Sequence, residues 1–347
     1  MEKTVIDISW ASLWRILLIV FFALAIFLLR DVFVILFLAL VISSAIDTPI
    51  SFLERRGIPR ILGALFIFFM ILAVLSVLLY IIVPVAAVEF NNLSVNIKEL
   101  EIPALGSLVT PEMLQNFEQS LNQFTDVLLA GGTSFVGIIP KIFGGITFVV
   151  AVFVLSFYLS ASKYGVERFL RAILPPVQED YVIRIYLRAK QKLGLWLQGQ
   201  LILSLIVGFT IFIGLMILGV KYGLIFGILG GILEMVPFVG PVITGVLAFF
   251  VAVSESWTLA ISVIVLFLVL QQLENHLLVP FVMRRTVGLH PVVVVISLLA
   301  GAKIAGFAGL LLAVPTAVVI QEIIEDWAAR KNDGRLSFSN DSNDSEA

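Results

Sequence analysis

Residues 224–253 read LIFGILGGILEMVPFVGPVITGVLAFFVAV, and the interpretation of this stretch decides the fold. It is apolar and long enough for a membrane, with one carboxylate, Glu234, followed by Pro237-Phe-Val-Gly240-Pro241 near its middle. An acid at the centre of a helix in hydrocarbon costs roughly 2.5–3.5 kcal/mol on insertion scales, so it normally faces protein or a water-filled cavity. The two prolines remove backbone donors and Gly240 admits backbone angles that other residues resist, which predicts a helix break where the charge sits. Broken backbone at membrane depth is tolerated only where protein buries it or it lines a cavity. Such a place is a binding site by default.

Composition sets the class around this stretch. Of 347 residues, 60% are hydrophobic and 13% charged, and the mean hydropathy is +1.11. These values predict an all-α polytopic membrane protein embedded in a lipid bilayer. A formal net charge of -2 gives no case for a nucleic-acid partner, and the absence of cysteine excludes disulfides, thiolate metal sites and thiol chemistry. There is no phosphate-binding Gly-x4-Gly-Lys-Ser/Thr loop and no His-Glu-x-x-His, and the two histidines, His276 and His290, are widely spaced. Hence no catalytic residues, no metal site and no cofactor are expected. The driving force is expected from a gradient, with sodium or the proton as coupling ion.

Residues 1–84 hold three apolar runs: Ile16 to Leu29, Val32 to Ile46 and Ile61 to Val83. The first two, separated only by Arg30 and Asp31, read as a tight helical hairpin; the first lacks a cleavage site and reads as a retained span. Pro49, Gly57 and Pro59 mark Asp47 to Arg60 as a loop. Residues 85–141 are acidic and amphipathic and read as a non-spanning extracytoplasmic segment. Residues 142–200 hold a fourth span, Ile142 to Ala161, and a basic stretch from Lys163 to Lys192 that reads as a helix along the membrane surface. Residues 201–325 carry span five, about Leu201 to Leu218, and the transport-site helices and hairpins; 326–347 is polar and reads as disordered.

Basic loops stay cytoplasmic, which places both termini inside. If residues 224–253 crossed once, Arg284-Arg285 would lie outside, against that rule. A hairpin with Pro237 to Pro241 at its tip returns the pair to the inside. A second breaker, Gly301 to Gly306, lies between Pro291 and Ile324. Span five with one hairpin and the Trp257 span with the other would then form two units of opposite orientation, the inverted-repeat plan of many secondary transporters.

The candidate site residues follow from these breaks. Gln271, Glu274 and Asn275 are three to four residues apart and share one helical face, which should look into protein or water. Glu274 and His276 are candidates for a proton or small cation, or else are solvated near the interface. Glu234 is a transport carboxylate, or else a structural one serving the backbone donors freed around Pro237. Lys303 either pairs with a carboxylate or anionic group, or snorkels at a hairpin tip. His290 reads as an interfacial turn residue.

Glu234-x-x-Pro237-x-x-Gly240-Pro241, Gln272-x-Glu274-x5-Pro280, Gly288-Leu-His-Pro291 and Gly301-x4-Gly306-x-x-Gly309-Leu-Leu-Leu-Ala-Val-Pro315 together resemble the AI-2E family of bacterial transporters. The resemblance implies an inner-membrane permease of about eight transmembrane segments, with broken or re-entrant hairpins in its C-terminal half. It also implies a homo-oligomer, a pentamer in some members. Members are described as exporters of the quorum-sensing signal autoinducer-2 and others as sodium(lithium)/proton antiporters, so the partner is a small polar solute or a cation. On that resemblance Glu234, Pro237, Gly240, Pro241, Glu274, Pro280, Gly306 and Pro315 form or support the path, while Arg284-Arg285 stands where the family often has a glycine. A channel or a non-transporting scaffold is the alternative of another class.

Overall fold

The computed structural model describes residues 28–77, 80, 146–283 and 288–344, with isolated positions between 10 and 24. The amphipathic segment 85–141, most of the first apolar run and Arg284-Arg285 lie outside the described residues. Every described element is helical. Five helices are long and apolar enough to cross a membrane, or six if one sharply bent pair counts as a span. The chain is therefore an all-α, multi-pass membrane protein.

Helix α1 (Arg30–Arg55) starts at the expected Arg30-Asp31 boundary but does not stop at Asp47. It runs through Pro49, so the expected loop shrinks to the turn around Gly57, whose φ is +89°. Proline leaves the carbonyl four residues earlier without its helical donor. Here that carbonyl, Ala45 O, accepts from Gln198 Nε2 at 2.6 Å. Gly194 allows the close approach, since a Cβ there would sit 2.5 Å from Ser44 O. A long-range contact thus rescues a helix that local sequence would end.

Helix α2 (Arg60–Val77) follows Pro59 and packs with α3 (Ile146–Ala161) against α1. Ile46, Ile50, Ala64, Ile67 and Phe68 form their core, with Phe68 edge-on to Phe153 at 5.1 Å and to Phe157 at 5.7 Å. The chain then bends by 87° into α4 (Gly165–Ile173). Arg60 closes this end: its Nε donates to Ser160 O at 2.9 Å, and its guanidinium pairs with Asp47 and, at 3.4 Å, with Glu54.

The basic stretch, expected as a helix along the membrane surface, divides between α4 and the start of a much longer helix. From Pro176, which occupies the first helical position, where its missing N–H costs nothing, one helix of 43 residues, α5 (Pro176–Leu218), runs straight into span five. At 1.5 Å per residue it is about 65 Å long, roughly twice a 30 Å hydrocarbon core. Its basic N-terminal half therefore projects beyond the apolar layer. There Arg188 and Lys192 reach the buried Glu322 at 2.7 and 2.5 Å, and Arg330 lies 3.7 Å over the Tyr181 ring. The start of the polar tail is thus helical and tied down by contacts that its composition does not reveal.

Helix α5 ends at Gly219 (φ +75°) with Val220 N–H on Leu215 O and Gly219 N–H on Met216 O, the paired bonds of a glycine C-cap. The chain returns as α6 (Gly223–Leu233), turns, and descends as α7 (Val239–Glu255). Contacts nest about each reversal. Gly208 meets Gly227 and Gly231 across the first; Lys221 pairs with Glu255 at 2.9 Å and Gly230 faces Thr244 across the second. With arms of 11 and 17 residues, each is shorter than the ~20 needed to span. Residues 224–253 form a hairpin.

Ser256 caps α8 (Trp257–Leu273), its side chain accepting from Leu259 N–H at 3.1 Å. A π-helical turn, Glu274–Leu278, leads to α9 (Val279–Met283). Helix α8 is antiparallel to α5, since Gly214 meets Leu266 while Gly199 meets Met283. The last element, α10 (Pro291–Asp344), breaks at Ala305 (φ -138°, ψ 23°) and Gly306 (φ 56°, ψ -133°). Gly301 lies against Gly309, and Val294 packs in one cluster with Val314 and Val318. Only a reversal at 305–306 produces those pairs. Water does not drive helices together within lipid, so close packing of small residues takes that role, which explains the glycines at each of these crossings.

Candidate functional site

The turn between α6 and α7 is built from a few short-range bonds. Met235 N–H reaches Ile232 O, Val236 N–H reaches Leu233 O and Val239 N–H reaches Val236 O, at 3.0 to 3.2 Å. Phe238 adopts φ +69°, a left-handed angle uncommon for a bulky side chain. The tip is Glu234 to Phe238, slightly earlier than expected: Gly240 and Pro241 already belong to the first turn of α7, where a missing N–H is harmless. Gly240 is required by space. A Cβ there would sit 2.5 Å from Gly230 O and 2.7 Å from Glu234 Oε2. The Glu234 carboxyl accordingly folds over the N-terminal turn of α7, where the helix dipole favours negative charge.

Glu234 is 0% exposed and Glu274 2%. Glu274 opens the π turn and lines a cavity with Pro241, next to Gly240, against which the Glu234 carboxyl packs; the two acids are electrostatic neighbours. Neither Glu234 oxygen, nor Glu274 Oε2, receives a well-formed hydrogen bond from a described residue; the backbone N–H of Phe238 approaches Glu234 without closing one. No described Lys or Arg pairs with either acid. Two buried carboxylates in each other's field repel, so such a pair favours binding a proton or a cation over carrying both charges. Beside Glu274 and Pro241 is a cavity of about 90 Å³, lined otherwise by Thr210 and aliphatic side chains such as Val207, Leu270 and Leu277.

The π turn also undoes the face shared by Gln271, Glu274 and Asn275. Its i→i+5 bonds insert one residue into the helical register. Glu274 is buried, while Asn275 and His276 are exposed and Gln271 is partly buried with Nε2 unpartnered. His276 Nδ1 lies 3.1 Å from Gln272 O. His290 is a turn residue as expected, accepting from Val292 N–H at 3.3 Å.

The second hairpin is separate. Lys303 just before its break and Gly306 within it are both exposed, and Lys303 makes no ion pair with Glu234 or Glu274 among the described residues. Pro315 is buried in the second arm, beside Val314 in the cluster with Val41, Leu193 and Trp196. Sequence reasoning also passed over three residues. Gln200, 1% exposed, donates its side-chain amide to Glu234 O. Thr244 donates to Gly240 O at 2.5 Å, and the buried Ser204 hydroxyl has no partner. The cluster Gln198-Gly199-Gln200 at the head of an apolar run was the available signal.

The model of the AI-2E family transporters matches residues 16–329, nearly the whole chain. The chain belongs to the AI-2E transporter family. Among relatives of this AI-2E protein are two Bacillus subtilis proteins named for transport. YrrI is 26% identical over 325 residues, 91% of this chain and 89% of its own. YueF is 29% identical over 292 residues, 80% of this chain and 79% of its own. PerM of Escherichia coli, named as a permease, is 26% identical over about half of each chain. This AI-2E protein is thus a member of a transporter and permease family.

Proposed function

We propose that this protein is a secondary transporter that exports a small polar solute of the autoinducer-2 type, and so serves quorum sensing. The acid pair at the broken helices would be its coupling centre. One observation carries this reading: Glu234 and Glu274, forty residues apart in sequence, are both buried beside an unwound tip with no basic partner among the described residues. Charged groups kept in such places in membrane proteins mark ion and substrate pathways. Pro237, Gly240 and Pro241 shape the tip, and Gly306 and Pro315 shape the second hairpin. Gln271 and Asn275 flank Glu274 along its helix and Lys303 precedes the second break; these polar groups would meet solute as the path opens. The protein would act in the bacterial inner membrane as a homo-oligomer, with both termini cytoplasmic and no enzymatic step.

Sodium(lithium)/proton antiport is the second reading, favoured because two buried acids with no basic partner among the described residues are a place that a proton and an alkali cation can contest. Purified protein in proteoliposomes tests the first reading. An imposed pH gradient should drive uptake of labelled autoinducer-2, with saturation and counter-flow that a pore would lack. Glu234→Gln should abolish the gradient-driven part. Undiminished flux in that variant would remove the carboxyl pair from the mechanism.

A further inference from the structure

One face of α5 runs along the first hairpin, and its last contact differs from the rest. Gly208 meets Gly227 and Gly231, and the backbone of Ser204 meets Gly231. Gln200 reaches Glu234 O with its side-chain amide. Residues 200, 204 and 208 are spaced by one turn, so they share that face. The glycine contacts are close approaches within paired helices. The Gln200 contact lies just past the end of α6 at Leu233, where the tip begins. We propose that Gln200 is the positioning residue that holds this tip shut, and that release of its one hydrogen bond is the first step in opening the path beside Glu234. This rests on the transporter reading above and names the bond that gates it.

The backbone of the turn does not duplicate the bond. In a continuing helix the N–H of residue 238 would serve Glu234 O. Here Phe238 is left-handed and Pro237 has no N–H to offer. The N–H groups of Met235, Val236 and Val239 serve Ile232, Leu233 and Val236 O instead. One turn along α5, the buried Ser204 hydroxyl has no partner and supplies no second bond. Gln200 is 1% exposed and Glu234 0%. Loss of the bond therefore leaves a buried amide and a buried carbonyl bare until the tip moves and water reaches them.

Helix α5 is itself fixed at this level. Gln198, about 200° around the helix from Gln200, bonds Ala45 O of α1 at 2.6 Å, and Gly199 between them lies against Met283. About two turns back, Lys192 holds Glu322 on the return arm of the second hairpin at 2.5 Å. The tip, hydrogen-bonded to this fixed helix through Gln200, is the part placed to move.

The chain has no cysteine, so one introduced thiol can report on the tip. Val236 in the tip is 3% exposed, and Ala64 in the core of α1, α2 and α3 is 0% exposed. Full-length Val236→Cys protein in proteoliposomes is labelled with a membrane-permeant maleimide, with Ala64→Cys protein as the control for general loosening. Adding Gln200→Met, which keeps the side-chain length and removes the donor, should speed labelling at 236 by roughly two- to tenfold, the weight of one hydrogen bond. Labelling at 64 should not change. Gln200→Glu should match the native glutamine in acid buffer, where its neutral carboxyl donates to Glu234 O, and match Gln200→Met in alkaline buffer, where it cannot. Each rate is compared with the native glutamine at the same pH, because the acids beside the tip, Glu234 and Glu274, are common to both proteins. Labelling at 236 that ignores Gln200→Met, or that rises equally at 64, would overturn the proposal, as would a Gln200→Glu protein that labels fast in acid. If Gln200→Met does not fold, the two pH arms of Gln200→Glu decide within one protein. Loss of the transporter reading would show separately, as gradient-driven flux unchanged in Glu234→Gln while labelling at 236 still answers to Gln200.

Discussion

Replacing Gly240 by alanine should damage the site more than any other single methyl group. The added Cβ would lie 2.5 Å from Gly230 O, 2.7 Å from Glu234 Oε2 and 2.9 Å from Glu234 N, against an ordinary contact of at least 3.4 Å. Two of these neighbours are backbone, so rotation of a side chain cannot relieve them and the arms of the hairpin must part by roughly 0.5–1 Å. Overpacking of this kind costs about 1–3 kcal/mol. Alanine recovers at most about 1 kcal/mol of helix propensity, and less in a first turn than in a helix interior. The steric effect wins, for a net loss of about 1–2 kcal/mol. Thermal unfolding in detergent, with Gly288→Ala as a control where nothing lies within 4 Å, measures it. The same substitution should alter the pH profile of flux, because the parted arms carry Glu234 away from Glu274. A Gly240→Ala protein that matches wild type in both melting temperature and pH profile would refute the close approach of the two arms.

Three further outcomes are expected. Gly230→Cys combined with Thr244→Cys should form a disulfide on mild oxidation, read as a gel shift after proteolysis between them, because a Cβ at 230 lies 3.3 Å from Thr244 Oγ1; in a continuous helix the two would be about 21 Å apart. Arg60→Ala should destabilise by about 1–3 kcal/mol, the range for hydrogen bonds to charged groups discounted for solvent, because Asp47 and Glu54 are partly exposed and Lys190 stays 3.6 Å from Asp47 and Lys163 3.5 Å from Glu54; Arg60→Lys should lose less, and thermal melts compare the two. The hydrogen bond that the Lys221 ammonium donates to Glu255 raises its pKa above the ordinary value. This exposed pair therefore adds stability below the ordinary lysine value of about 10.4, and that stability is lost as pH rises through the raised folded value. The melting difference between wild type and Lys221→Met should disappear in strongly alkaline buffer.

Much of this architecture was legible without coordinates, because prolines and glycines act locally. Pro237 removes a donor wherever it stands, and Gly306 relaxes backbone sterics in any context, so both hairpin tips could be placed to within a few residues. Hydropathy likewise marks α1, α2, α3 and α8, since lipid imposes the same requirement on any spanning helix. Pro49 and Pro176 show the limit of that logic. The first fails to end α1 because Gln198, far away in sequence, bonds the carbonyl that the proline frees. The second begins a helix of 43 residues that runs through the expected boundary between the basic stretch and span five.

Sequence alone therefore determined that the chain is a helical membrane protein, that it breaks near Glu234 and near Gly306, and that an acid lies at the first break. Tertiary structure alone decided which acids become neighbours. The π turn rotates Glu274 inward and Asn275 outward, the nested hairpins bring Glu274 level with the tip, and Gln200 on a third helix holds the carbonyl of Glu234. Spacing along one helix predicts neighbours on that helix. It carries no information about the register between helices, which packing at Gly208, Gly231 and Gly240 sets.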